Sequence, residues 1–93
     1  MNKVLVILEK TSVEGYSAYL PELPGCISTG NSLSDIKESI QDAVEFHIKG
    51  MKEEHLEIPE TFQKDYELSY KMDIASYDLN YLPLFFFLKK NTN

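Results

Sequence analysis

Apolar and polar positions change rhythm several times along the chain, and each rhythm predicts an element. Residues 3–10 open with five consecutive aliphatic side chains, Val4 to Leu8, between Lys3 and Glu9-Lys10. A strand apolar on both sides belongs in the interior of a sheet, with cover on each face. Thr11 to Gly15 reads as a hairpin loop and Tyr16 to Leu20 as a second strand. So short a connection makes the two strands antiparallel neighbours. Pro21-Glu22-Leu23-Pro24-Gly25 is a stiff turn region. Proline presets φ near about −65° and the glycine after it accepts positive φ, which suits Pro24-Gly25 to the centre of a type II turn. Cys26 to Thr29 is a short third strand, broken by Gly30-Asn31.

The next rhythm is helical. Ser32 is a good N-cap, and Asp35 stands in the acidic position of a capping box. Leu33, Ile36, Ile40, Ala43, Val44, His47, Ile48 and Met51 then recur in steps of three and four, which defines one helical face. Lys37, Glu38, Gln41, Asp42, Glu45, Lys49 and Lys52 occupy the other. The helix is expected from about Leu33 to about Glu54. Ile58-Pro59-Glu60 marks a connection, and Tyr66, Leu68, Tyr70 and Met72 alternate with Glu67, Ser69, Lys71 and Asp73. That period of two predicts a half-buried strand. The order is β-β-β-α-β, an α+β domain over residues 1–73: a mostly antiparallel sheet with one long helix on one face.

Residues 74–93 follow neither rhythm. They hold Tyr77, Tyr81, Leu82, Leu84, Phe85, Phe86, Phe87 and Leu88, with Pro83 among them. Two readings compete, a further strand that covers an exposed face or a subunit interface, and a poorly ordered tail. The first is favoured, because so dense an apolar run seldom stays in contact with water.

Composition narrows the function. The net charge is −6, and all 9 basic residues are lysine. Without arginine there is no bidentate grip on phosphate or guanine, so nucleic acid is a poor match. The acidic surplus favours a basic protein partner instead. Cys26 is the 1 cysteine, which excludes an intramolecular disulfide and fits a reducing, cytoplasmic setting. No apolar run approaches the ~20 residues of a membrane span.

Candidates for chemistry are thin. Cys26 could act as a nucleophile beside His47 or His55, but a cysteine after a Pro-Gly turn is more often a small buried hydrophobe. His47 and His55 lie about two helical turns apart, which is not the spacing of a helical metal pair. Glu38, Asp42 and Glu45 share a helix flank that reads most simply as solvated, and Glu9, Glu14 and Glu22 sit near strand ends and loops. No catalytic residue, metal ligand or cofactor site is assigned.

One stretch is specific. Gly15 to Gly30, with its Leu20-Pro21-Glu22-Leu23-Pro24-Gly25-Cys26 turn, leads into Ser32 to Ile40 and Ala43-Val44. This closely resembles the HicB-like antitoxin family over about residues 3–73. The resemblance implies a partial ribonuclease H-like fold without the catalytic acids of ribonuclease H. It implies a small basic HicA-like toxin as partner, an mRNA-cleaving ribonuclease whose active site the antitoxin masks. It further implies self-association, as a homodimer or higher homo-oligomer. Many members carry a C-terminal helix-turn-helix or ribbon-helix-helix that binds promoter DNA. Residues 74–93 resemble neither, so DNA binding is not expected.

Binding is therefore expected on two surfaces, the helix flank of Glu38, Asp42 and Glu45 and the turn region of Tyr19, Glu22, Leu23 and Pro24. The sheet face away from the helix, with Tyr19 and the Phe85–Phe87 run, is expected to bury against a second copy. The alternatives are an orphan structural or regulatory domain without a toxin, and a residual nuclease using acids such as Glu9 and Asp42. A gene for a small basic protein beside this one would separate the first alternative from an antitoxin.

Overall fold

A computed structural model describes residues 1–73. In chain order the elements are β1 (Asn2–Lys10), β2 (Tyr16–Tyr19), β3 (Ile27–Gly30), α1 (Leu33–Glu53), a single 3-10 turn (Glu60–Phe62) and β4 (Tyr66–Met72). The strands form one sheet in the order β3-β2-β1-β4. The first two pairings from the β3 edge are antiparallel, and β4 runs parallel to β1, with Val6 opposite Tyr70. Two of three pairings being antiparallel, the expected sheet is found. Its one parallel pair exists because α1 carries the chain back across the sheet before β4 begins.

Alternation decides what β1 buries. Val4, Val6 and Leu8 point inward and are buried. They meet Ile36, Ile40, Val44 and Ile48, the inner stripe of α1, together with Ala18, Leu20, Leu23, Cys26 and Phe62. Cover on both faces of β1 is not found among the described residues. β1 is interior to the sheet, but Leu5 on its other face is exposed. One helix can shield only one side. Leu33, expected on the buried stripe, is also exposed. Residues 74–93, with Phe85 to Phe87, lie outside the described residues.

The local devices are those the sequence calls for. The Ser32 side chain accepts a hydrogen bond from the Asp35 amide at 3.0 Å and so caps α1. The Cys26 amide donates to the Leu23 carbonyl at 3.1 Å and Gly25 sits at φ 89°, which together make the type II turn. With its amide spent there, Cys26 does not join the ladder, and β3 starts one residue later than expected. α1 ends in a Schellman motif. The Leu56 amide donates to the Met51 carbonyl and the His55 amide to the Lys52 carbonyl. His55 holds the left-handed position of this motif at φ 58°, where glycine is the usual residue.

Gly30 fixes how closely β3 approaches α1. A Cβ at Gly30 would lie 2.8 Å from the backbone nitrogen of Ile36. Neither backbone can yield without moving the helix cap. Gly30→Ala should therefore cost about 1–3 kcal/mol, whereas His55→Gly should gain roughly 0.5–1 kcal/mol by relieving the left-handed backbone. Urea midpoints of the two variants moving in opposite directions would confirm both assignments.

Candidate functional site

Outward-facing residues of α1 build the most distinctive surface. Asp35, Glu38 and Asp42 line a shallow cleft of about 280 Å³ with Gly30, Asn31 and Ser39. Three carboxylates and no base face that cleft. Helical spacing makes this arrangement, since 35, 38 and 42 are steps of three and four on one side of α1. Glu45 continues along the helix and accepts a hydrogen bond from Gln41 Nε2 at 3.2 Å. One turn beyond Asp42 stands Phe46, 80% exposed. Apolar periodicity could not flag it, because it falls among the polar positions. A free aromatic ring beside carboxylates is the signal that sequence reading passed over.

The expected contact residues do not share one surface. Glu38, Asp42 and Glu45 are exposed on α1. Tyr19 follows the inward-facing Ala18 and so points to the opposite, helix-free side of the sheet. Glu22 and Pro24 are exposed in the turn. Leu23 requires a correction. It is 2% exposed and packed in the core, so it offers a partner nothing. Its amide is bonded to the Leu20 carbonyl at 3.1 Å and its carbonyl to the Cys26 amide, so the turn drives its side chain inward. It anchors the turn that presents Glu22 and Pro24.

No reactive centre assembles around Cys26. The thiol is buried, and burial pushes its pKa up, away from the thiolate a nucleophile needs. Acids do not converge either. Glu9 lies on the helix-free side opposite Ser17, whereas Asp42 lies on the outer surface of α1. Among the described residues no group of three or more His, Cys, Asp or Glu could hold a metal ion. None of the described helices is long and apolar enough to cross a membrane.

The sheet is thus backed by one helix whose exposed flank is acidic. The chain belongs to the HicB-like antitoxin family, whose model, described as HicB_like antitoxin of bacterial toxin-antitoxin system, matches residues 4–76. A solved HicA3 and HicB3 toxin-antitoxin complex contains a similar chain, at 31% identity and a TM-score of 0.52, over 59% of this chain and 64% of that one. An uncharacterized 14.9 kDa protein from the rep-hol intergenic region of Haemophilus phage HP1 is 38% identical over 60% of this chain and 41% of its own length. The UPF0150 protein ssr1765 of Synechocystis is 37% identical over 58% of this chain and 68% of its own. The matched region thus spans less than half of the phage protein and just under two thirds of the solved chain.

Three groups share one electrostatic fate. Burial raises the pKa of Cys26, Tyr66 and Tyr70, and for Tyr66 the charges of Glu45 and Cys26 add to it. Each group therefore holds its proton more tightly folded than unfolded. The stability this supplies is complete below the ordinary thiol value of 9.0 and is lost as pH rises through the raised folded values. The urea midpoint should hold level to about pH 8.5 and then fall. Cys26→Ala should blunt the first part of the decline, and an unchanged slope in that variant would assign it to the tyrosines alone.

Proposed function

We propose that this protein neutralises a small basic, mRNA-cleaving toxin of the HicA type by covering the toxin's active site. The match to a chain of the HicA3 and HicB3 complex carries this reading. The surface agrees with it. A net charge of −6 draws a basic partner into encounter, and the acidic side of α1 supplies a place to dock. There the Asp35, Glu38 and Asp42 cleft suits a lysine or arginine side chain, and Phe46 is the apolar anchor beside it. Aromatic anchors among charged neighbours are where binding energy concentrates. Glu45 extends the same flank. Tyr19 faces the opposite, helix-free side of the sheet and is not part of this flank.

The protein acts in this reading by binding, in a cytoplasmic setting that suits its single buried thiol. Self-association belongs to the same reading through the helix-free face, where Leu5, Tyr19 and Ile27 are exposed. That row alone is on the order of a few hundred Å², short of the ~800 Å² per partner of a stable complex. A firm homodimer would need further contacts. Promoter binding has no support in residues 1–73, whose acidic helix flank would repel phosphate.

Calorimetric titration of the full chain with a catalytically inactive HicA-like toxin tests the docking surface. Phe46→Ala should weaken binding about 10- to 100-fold. Charge reversal at Glu38, Asp42 and Glu45 together should weaken it further and flatten its dependence on salt. Unaltered affinity in the triple variant would remove this flank from the interface.

A further inference from the structure

β4 is an edge strand, and among the described residues its outer edge is open. The sheet order β3-β2-β1-β4 places it last, with β1 on its inner side. Two hydrogen bonds fix which of its residues face β1. The Asn2 amide donates to the Asp65 carbonyl at 3.3 Å, and the Asp73 amide donates to the Leu8 carbonyl at 2.7 Å. The amide and carbonyl of one residue point to the same side of a strand, and successive residues alternate. Asp65, Glu67, Ser69, Lys71 and Asp73 therefore face β1. Tyr66, Leu68, Tyr70 and Met72 direct their amide hydrogens and carbonyls outward, where no described strand receives them.

Edge strands usually carry a device against pairing with another chain. At the other edge β3 has the simplest one, a length of 4 residues. β4 runs 7 residues without a proline. It does carry charge, but Glu67 and Lys71 are opposite in sign and sit symmetrically about Ser69, its middle residue. Turned about Ser69, two copies of β4 therefore match. Leu68 falls opposite Tyr70 of the second copy and Tyr66 opposite Met72, so each outward-facing residue meets another and every open amide hydrogen finds a carbonyl. No other antiparallel register pairs all four. On the helix-free side Glu67 falls opposite Lys71 of the second copy, and both side chains are exposed. On the helix side the half-buried Tyr66, Leu68, Tyr70 and Met72 continue across the junction as one apolar row. Asp65 and Asp73 would face each other next, and as like charges they mark the ends of the pairing.

We propose that a second copy of this chain adds to the open edge of β4, antiparallel and centred on Ser69, and joins two four-stranded sheets into one continuous sheet. Such an interface is isologous, with the same seven residues on both sides of a twofold axis. Main-chain hydrogen bonds supply its affinity, as in other strand additions, and the two Glu67–Lys71 pairs set its register. It stands on the geometry of β4 alone, and depends neither on toxin binding nor on contacts across the helix-free face.

Sedimentation equilibrium and amide exchange of the full chain test it. The mass of the native chain should rise from monomer to dimer with concentration. Glu67→Lys sets lysine against lysine at both pairs, and Lys71→Glu sets acid against acid, so each variant should dimerise about 10-fold more weakly. An equimolar mixture of the two variants should regain the native affinity, because each supplies the charge the other needs, and that recovery also shows both variants folded. The Leu68 and Tyr70 amides should exchange slowly in the dimer and speed up on dilution, while Ser69 and Lys71, bonded to β1, stay slow throughout. Dimerisation indifferent to both charge reversals overturns the proposal, as does a dimer that responds instead to Leu5→Asp or Ile27→Asp. So does slow exchange at Leu68 and Tyr70 that ignores concentration, since the same chain would then close its own edge. A monomer in which both amides exchange fast overturns it as well.

Discussion

Everything in the domain depends on one seam, the Ile36, Ile40, Val44 and Ile48 stripe of α1 against Val4, Val6 and Leu8 of β1. The seam holds seven of the twelve buried hydrophobic side chains among the described residues, and hydrophobic burial is the main favourable term in folding. It also sets the topology. β3 can be followed by a strand at the opposite edge only because α1 crosses between them, and where α1 seats decides where β4 begins. Gly30 sets the depth of that seat by letting β3 come up against the first turn of the helix. Lys37 above the Tyr70 ring, at 5.1 Å, ties the far side of the helix to β4.

A single helix on a four-stranded sheet has a geometric consequence. One face is sealed, and among the described residues the other keeps its apolar side chains exposed. The outer surface of the helix remains available as well. The molecule therefore presents two dissimilar surfaces, one charged and one apolar, on opposite sides of a thin slab. A partner docked on the acidic flank, as proposed, would leave the apolar row untouched.

Local chemistry was legible in the sequence, and long-range geometry was not. The helix was readable to within a residue of each end, because a Ser cap and a three-four apolar rhythm are properties of neighbouring residues. The Pro24-Gly25 turn was readable for the same reason. The parallel pairing of β4 with β1 was not, since it joins residues about sixty apart and leaves no local mark. Leu23 looked like a surface residue of an exposed turn, and only the direction of two turn hydrogen bonds reveals that it faces the core. Phe62 entered the core through a 3-10 turn too short to have a period. Phe46 was hidden by the opposite effect. A pattern that sorts apolar residues inward has no place for one that points out.

The distribution of acids argues for binding over chemistry. Catalysis with carboxylates requires that they meet within a few ångströms of a shared ion or proton. Glu9 is instead on the helix-free face of the sheet, whereas Asp42 is on α1 across the sheet from it, in the cleft beside Gly30. Such groups cannot cooperate at one atom. Their fields still add at a distance, because a charged partner senses the sum before it senses any single contact. A chain that spreads its carboxylates over an exposed helix flank, and carries a net charge of −6, has the electrostatics that the proposed basic partner requires. In the proposed complex the exposed ring of Phe46 is the apolar contact that charge cannot replace, since charge alone steers a complex but seldom holds it.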